Sequence, residues 1–135
     1  MKSQLVIVFA VLMICVVCHS PMATAKVVFI NETFVVEPGA FKWFPFFSAK
    51  KTGVRVTGAF RARGGSRNDI EVYIFDDIGL ENFANRNSAE NYYYSRKVTA
   101  GRIDVFLPAN KYYIVFNNRF SSISNKAVKA YIELD

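Results

Sequence analysis

The residue types that carry most enzyme chemistry are gathered at one end of this 135-residue chain. Both cysteines, Cys15 and Cys18, and the single histidine, His19, fall within the first 19 residues. Beyond them there is neither a thiol nor an imidazole. Serine–histidine and cysteine–histidine mechanisms are excluded there, and so is the commonest general base. Zinc and copper sites, which want His or Cys, fall with them. Carboxylates remain. Asp69, Glu71, Asp76 and Asp77 are the best candidates for a paired-carboxylate hydrolase. Asp69, Asp76 and Asp77, with the carbonyl of Asn68, are the candidate calcium ligands. No calcium-loop spacing is present, and Asp76-Asp77 stand just before Ile78-Gly79, where aspartate ordinarily bonds to its own turn. The sequence therefore reads as non-catalytic and without a cofactor, with a carboxylate-based hydrolase as the remote alternative.

Binding chemistry is better represented. Of the 17 basic residues, 16 lie beyond residue 25, against all 11 acidic ones. Arg61, Arg63 and Arg67 cluster around Gly64-Gly65, and Lys50-Lys51 form a second pair. Such groups suit lipid headgroups, cell-wall polymers or an acidic partner. Aromatic residues are the other candidate contacts. Phe41, Trp43, Phe44, Phe46 and Phe47 cannot all face one side of a strand, and alternation sends at least one of Tyr92, Tyr93 and Tyr94 outward. Exposed rings beside polar groups suit sugar stacking or a protein interface. Asn31-Glu32-Thr33 is a formal N-glycosylation acceptor.

The elements that must position these residues read as strands. Val27–Ile30 and Phe34–Glu37 are short β-branched and aromatic runs, the second ended by Pro38-Gly39. The run 40–47 carries Pro45, which fits an edge strand or a strand break. From Gly53 to Ala62, apolar and polar residues alternate, as they do over Asp69–Phe75, Arg102–Leu107 and Lys126–Leu134. Asn91–Val98 and Lys111–Phe116 complete the set. Arg63–Asn68 reads as a loop, Asp76–Gly79 as a turn, and the asparagine-rich stretch 80–89 as a loop with room for one helical turn. About eight short strands with one-sided alternation and no long helical stripe predict an all-β antiparallel β-sandwich, jelly-roll-like.

The opening residues predict where this domain works. Lys2, the apolar run Leu5–Cys18 and the small-x-small sequence Ala23-Thr24-Ala25 are the three parts of a secretory signal peptide cut before Lys26. The apolar run is shorter than the roughly 20 residues a spanning helix needs. Bulky Ile14 and Val17 precede the two cysteines, where a lipoprotein signal wants a small residue. The expected organisation is a signal peptide over 1–25 and one secreted or periplasmic domain over 26–135, of ordinary single-domain size.

Two stretches carry a family resemblance. Asn68-Asp69-Ile70-Glu71-Val72-Tyr73-Ile74-Phe75-Asp76 resembles the D-x-x-V/L-Y-x-x-D strand of GOLD-like and bacterial pre-peptidase C-terminal domains. Leu107-Pro108-Ala109-Asn110-Lys111-Tyr112-Tyr113-Ile114-Val115-Phe116-Asn117-Asn118 resembles their L-P-A-G-x-Y-Y-x-V-x-x-N hairpin strand, with Asn110 in place of glycine. The resemblance implies an extracytoplasmic β-sandwich with a binding or accessory role, and it carries over no catalytic residue. The expected partner is a protein or glycan of the envelope or extracellular space, met by Trp43, Phe44, Phe46, Tyr92, Tyr93, Tyr94, Arg61, Arg63 and Arg67. The alternative is a peripheral protein of anionic membrane surfaces, with Trp43, Phe44 and Phe46 dipping between headgroups near Lys50 and Lys51. Nucleic acid is not an expected partner, since the chain carries an export signal and no nucleic-acid-binding motif.

Overall fold

A computed structural model describes residues 25–135. The expected signal peptide, with Cys15, Cys18 and His19, lies outside the described residues except for Ala25. The strands are β1 (Val27–Val36), β2 (Phe41–Phe47), β3 (Val54–Arg63), β4 (Glu71–Phe75), β5 (Tyr93–Tyr94), β6 (Ala100–Leu107), β7 (Lys111–Asn117) and β8 (Lys126–Leu134). A helix, α1 (Asp77–Ala84), lies between β4 and β5.

Every pairing is antiparallel: β1 with β8, β2 with β7, β3 with β6 and β4 with β5. The chain is thus one long hairpin with α1 near its tip. It wraps so that β8 also pairs with β3 and β7 with β4. Two four-stranded sheets result, ordered β1-β8-β3-β6 and β2-β7-β4-β5, which is the strand order of a jelly roll. The antiparallel sandwich expected from the alternation is the fold observed.

Alternation explains the packing. Val54, Val56, Phe60 and Ala62 of β3 point inward with Val128, Ala130 and Ile132 of β8, and they meet Ile70, Val72, Ile74, Ile114 and Phe116 of the other sheet. Gly58 sits in this inward row because nothing larger fits. A Cβ there would come within 2.2 Å of the Tyr131 carbonyl oxygen and 2.8 Å of Ile132. β7 shows no alternation because both of its faces are covered. Its outward side chains Tyr113 and Val115 form a second, smaller core with Phe75 and Phe83 beneath α1. Pro45 lies in β2, which pairs only with β7. An edge strand can tolerate the missing N–H.

Three elements differ from the sequence reading. Residues 27–36 form one strand with a register shift between Val28 and Ile30, where two short runs are expected. The turn at Asp76–Gly79 and part of the following loop are a two-turn helix. Asp76 Oδ1 accepts the Gly79 amide hydrogen at 2.8 Å, the same local bond a turn would use, here made by an N-cap. An eight-residue helix gains little from propensity, and burial of Phe83 against Phe41, Tyr73 and Phe75 holds it in place. The expected strand over Asn91–Val98 shrinks to Tyr93–Tyr94 plus a single bridge between Val98 and Ile70. Ser95 Oγ replaces the ladder by accepting from the Val72 amide at 2.8 Å, and Arg96 then takes a positive φ of 63°.

Gly58→Ala is expected to lower stability by about 2 kcal/mol through overpacking against β8 backbone. Urea unfolding checks this, and an unchanged midpoint would contradict the close approach of β3 to β8.

Candidate functional site

The outward rows of the β1-β8-β3-β6 sheet are set by the same register as the core. Arg61 and Arg63 point outward from β3 because Phe60 and Ala62 point inward. Lys129 stands opposite Arg61, and Ala127 opposite Arg63. On the other side Arg61 faces Ala100, and Ala59 faces Arg102. Four exposed cations therefore share one face, separated by Ala59, Ala100 and Ala127, whose side chains end at Cβ. The small residues leave a hollow of about 680 Å³ walled by Arg61, Arg63, Arg102, Lys129 and Tyr131. It continues toward Thr33 as a second hollow of about 290 Å³ that shares Arg61, Arg63 and Lys129.

Charge on this face is segregated. Toward the Val54 end of β3 the ions are paired, with Arg55 on Asp104 at 2.8 Å and Lys26 on Glu133 at 3.5 Å. Arg61, Arg63, Arg102 and Lys129 make no ion pair among the described residues. Glu133 is engaged by Lys26 and also accepts from the Tyr131 hydroxyl at 2.7 Å. Unpaired cations in a recess focus a positive potential that an anionic ligand lowers.

Arg67 is separate from this face. It belongs to the loop that follows β3 from residue 64, one residue later than the sequence reading placed its start, beside a hollow of about 320 Å³ that also touches Lys97, Asp69 and Lys126. Gly64 and Gly65 adopt φ of 126° and 69°, and a Cβ on Gly64 would lie 2.0 Å from the Asn125 carbonyl oxygen. Lys126 holds the loop from inside. It is an inward position of β8, with a side chain only 3 % exposed. Its Nζ donates to Asp69 Oδ1 at 2.8 Å and to the Gly64 carbonyl at 2.9 Å. Burial pushes the Asp69 carboxyl up, but the hydrogen bond and charge of Lys126 outweigh it and hold the group below its ordinary value.

The aromatic candidates do not assemble into one surface. Trp43 is half-exposed on β2, edge-on to Tyr113. Phe44 faces inward and packs on Phe34 and Phe116. Phe46 corrects the sequence reading: it is buried against Phe29 and Tyr112 and belongs to the core. Tyr93 also turns inward, and its hydroxyl donates to the Arg102 carbonyl at 2.9 Å. Tyr92 leans on Tyr112. Tyr94 stacks on Tyr73 at 4.5 Å and donates to Glu71 at 3.1 Å. Trp43 and Tyr94 stand on opposite edges of the β2-β7-β4-β5 sheet, roughly 14 Å apart at three strand spacings.

The carboxylate candidates are also apart. Asp69 and Asp76 flank β4, roughly 20 Å from each other along an extended chain. Asp69 is held by Lys126, Asp76 caps α1, and Asp77 accepts from the Tyr113 hydroxyl at 2.6 Å. The three cannot share one calcium ion, and among the described residues no group of three or more His, Cys, Asp or Glu could hold a metal. Glu71 is nearly buried and accepts from Asn117 Nδ2 at 2.6 Å as well as from Tyr94. Sequence reasoning missed Arg102, Lys129 and Tyr131. Their outward parity was visible in the alternation of β6 and β8, but the register that sets them beside Arg61 was not.

Asp69→Asn is expected to cost about 3 kcal/mol at neutral pH, because it leaves Lys126 buried without its counter-charge. The folded carboxyl value lies below the ordinary 3.8. Its contribution is therefore complete above 3.8 and is lost as pH falls through the folded value. Urea midpoints measured from pH 7 down to pH 2 should show the native protein losing stability in acid and the gap to Asp69→Asn closing. A gap that stays constant across that range would contradict the pairing.

No protein-family model matches this chain and no curated protein matches it.

Proposed function

We propose that the chain is a non-catalytic binding module that works outside the cytoplasm and holds an acidic partner, a glycan or protein surface, on the outer face of the β1-β8-β3-β6 sheet. The observation that carries this reading is the set of four unpaired cations, Arg61, Arg63, Arg102 and Lys129, over an alanine floor. Holding like charges close together is unfavourable in the free protein. An anion that bridges them removes that repulsion and adds charge-assisted hydrogen bonds. The secretory leader and the resemblance to extracytoplasmic sandwich domains support the compartment and the accessory role.

The geometry favours this over docking on a bilayer. Insertion wants rings and cations side by side. The most exposed rings, Phe47 and Phe106, are about two-thirds exposed. Phe106 stands opposite Arg55, roughly 20 Å along β3 from Arg61. Phe47 has Lys50 beside it in a separate hollow at that same end and Lys111 Nζ 5.7 Å from its ring centre, so a single ring–cation pairing exists there, away from the groove cations. The ions around Phe106 are already paired.

The reversal Arg61→Glu with Lys129→Glu is expected to abolish retention on immobilised sulfated or carboxylated glycans, with a loss of at least about ten-fold in affinity. Both positions are exposed, so circular dichroism and thermal unfolding should stay close to native. Trp43→Ala should bind as the native protein does. Retention that survives the reversal, or that is equal on neutral glycans, would sink the reading.

A further inference from the structure

Resting on the reading of the sheet face as the binding surface, we propose that its ligand is a linear acidic glycan, bound along a track that runs from Arg102 across Arg61 and Arg63 and over the sandwich end to Arg67 and Lys97. The two hollows on the sheet face are one groove, since they share Arg61, Arg63 and Lys129. Arg102 stands level with Ala59, so the groove covers about 14 Å of β3 before it reaches Arg63. Two residues further on, Gly65 begins the lining of the hollow at the loop end. The chain thus leads from one hollow to the next in two places, from Arg63 to Gly65 and from Ala127 to Lys126.

The loop end is built to extend the track. Its one lining carboxylate, Asp69, is neutralised by Lys126. The same lysine pins the Gly64 carbonyl, and Thr99 Oγ1 donates to the Arg67 carbonyl at 3.2 Å. Arg67 is therefore held where the groove leaves the sheet. Lys97 rests its ammonium 4.5 Å from the centre of the Phe120 ring, across the same hollow. Ser121, Ser122 and Ser124 line it with hydroxyls, groups that pair with sugar hydroxyls without demanding a fixed charge.

The shape selects the ligand class. A compact anion such as free phosphate would occupy one hollow and leave the other cations unpaired. A bilayer is a plane and cannot touch a sheet face and a sandwich end that meet at an angle. A flexible polymer with charge repeated along its length can follow both, and the alanine floor gives its backbone room.

The test uses protein containing residues 25–135, which hold both sheets, with heparin-type tetrasaccharide and dodecasaccharide as probes and vesicles of phosphatidylglycerol in phosphatidylcholine as the comparison. Titration calorimetry of the native protein should give roughly ten-fold tighter binding of the longer oligosaccharide. Arg67→Ala with Lys97→Ala should erase that advantage, leave the tetrasaccharide within about two-fold, and lower the slope of log affinity against log salt by about one for each cation removed. Equal affinity for the two lengths, or an unchanged salt slope, would end the site at Arg63 and refute the track while leaving the sheet-face reading intact. No binding of either oligosaccharide would overturn the glycan and the track, and would leave an acidic protein surface as the partner of the sheet face. Vesicle binding that needs Arg67 and Lys97, in the absence of oligosaccharide binding, would replace the glycan with a membrane.

Discussion

The whole architecture depends on β8 seating itself between β1 and β3. It is the last strand of the chain, yet it pairs on one side with the first strand and on the other with the third. Every second residue of it, from Val128 to Ile132, then lies in the core. Neither β1 nor β3 can complete its ladder until the far end of the chain arrives, so the closing contacts are non-local and carry a large loop-closure cost. The same wrapping puts β7 between β2 and β4, where α1 covers its outer face and leaves it buried on both sides.

Because side chains alternate with a period of two, the register that builds the core also builds the outer face. Placing Val128 and Ala130 inward places Lys129 outward, and pairing β8 with β3 sets that lysine beside Arg61. Arg102 arrives from the opposite flank by the pairing of β3 with β6. The basic groove is thus a by-product of core registration on three strands. A one-residue slip in β8 would send Lys129 into the core and disperse the groove at the same time.

Parity also explains a cation pulled inside. Lys126 holds an inward position at the start of β8, and its ammonium must find partners or face the cost of an unpaired buried ion. It finds Asp69 and the Gly64 carbonyl, which fastens the β3–β4 loop to the sandwich. Asn118 performs the neighbouring task with neutral bonds. Buried at the end of β7, its Nδ2 donates to the carbonyls of Val36 and Ser124 at 3.1 and 2.8 Å. It thereby joins the β1–β2 turn to the β7–β8 loop. The loop that carries Arg67 is fastened from inside, by Lys126 on the Gly64 carbonyl and Thr99 on the Arg67 carbonyl.

Local periodicity alone determined most of the strands, the antiparallel sandwich and the Gly64-Gly65 loop. Each of these is encoded within a few neighbouring residues. It also grouped Arg61 and Arg63 around Gly64-Gly65, but with Arg63 in the loop, whereas β3 carries both on one outward face. It could not reveal α1, whose stability comes from Phe83 meeting rings of β2 and β4, nor the truncation of β5 by the Ser95 hydroxyl. It placed Phe46 and Tyr93 among candidate contacts because ring content says nothing about which side of a strand faces the core. Only the tertiary structure brought Arg102 and Lys129, 41 and 68 residues along the chain from Arg61, to the same hollow. That proximity is a property of register between distant strands, and register is decided by the packing of the whole core.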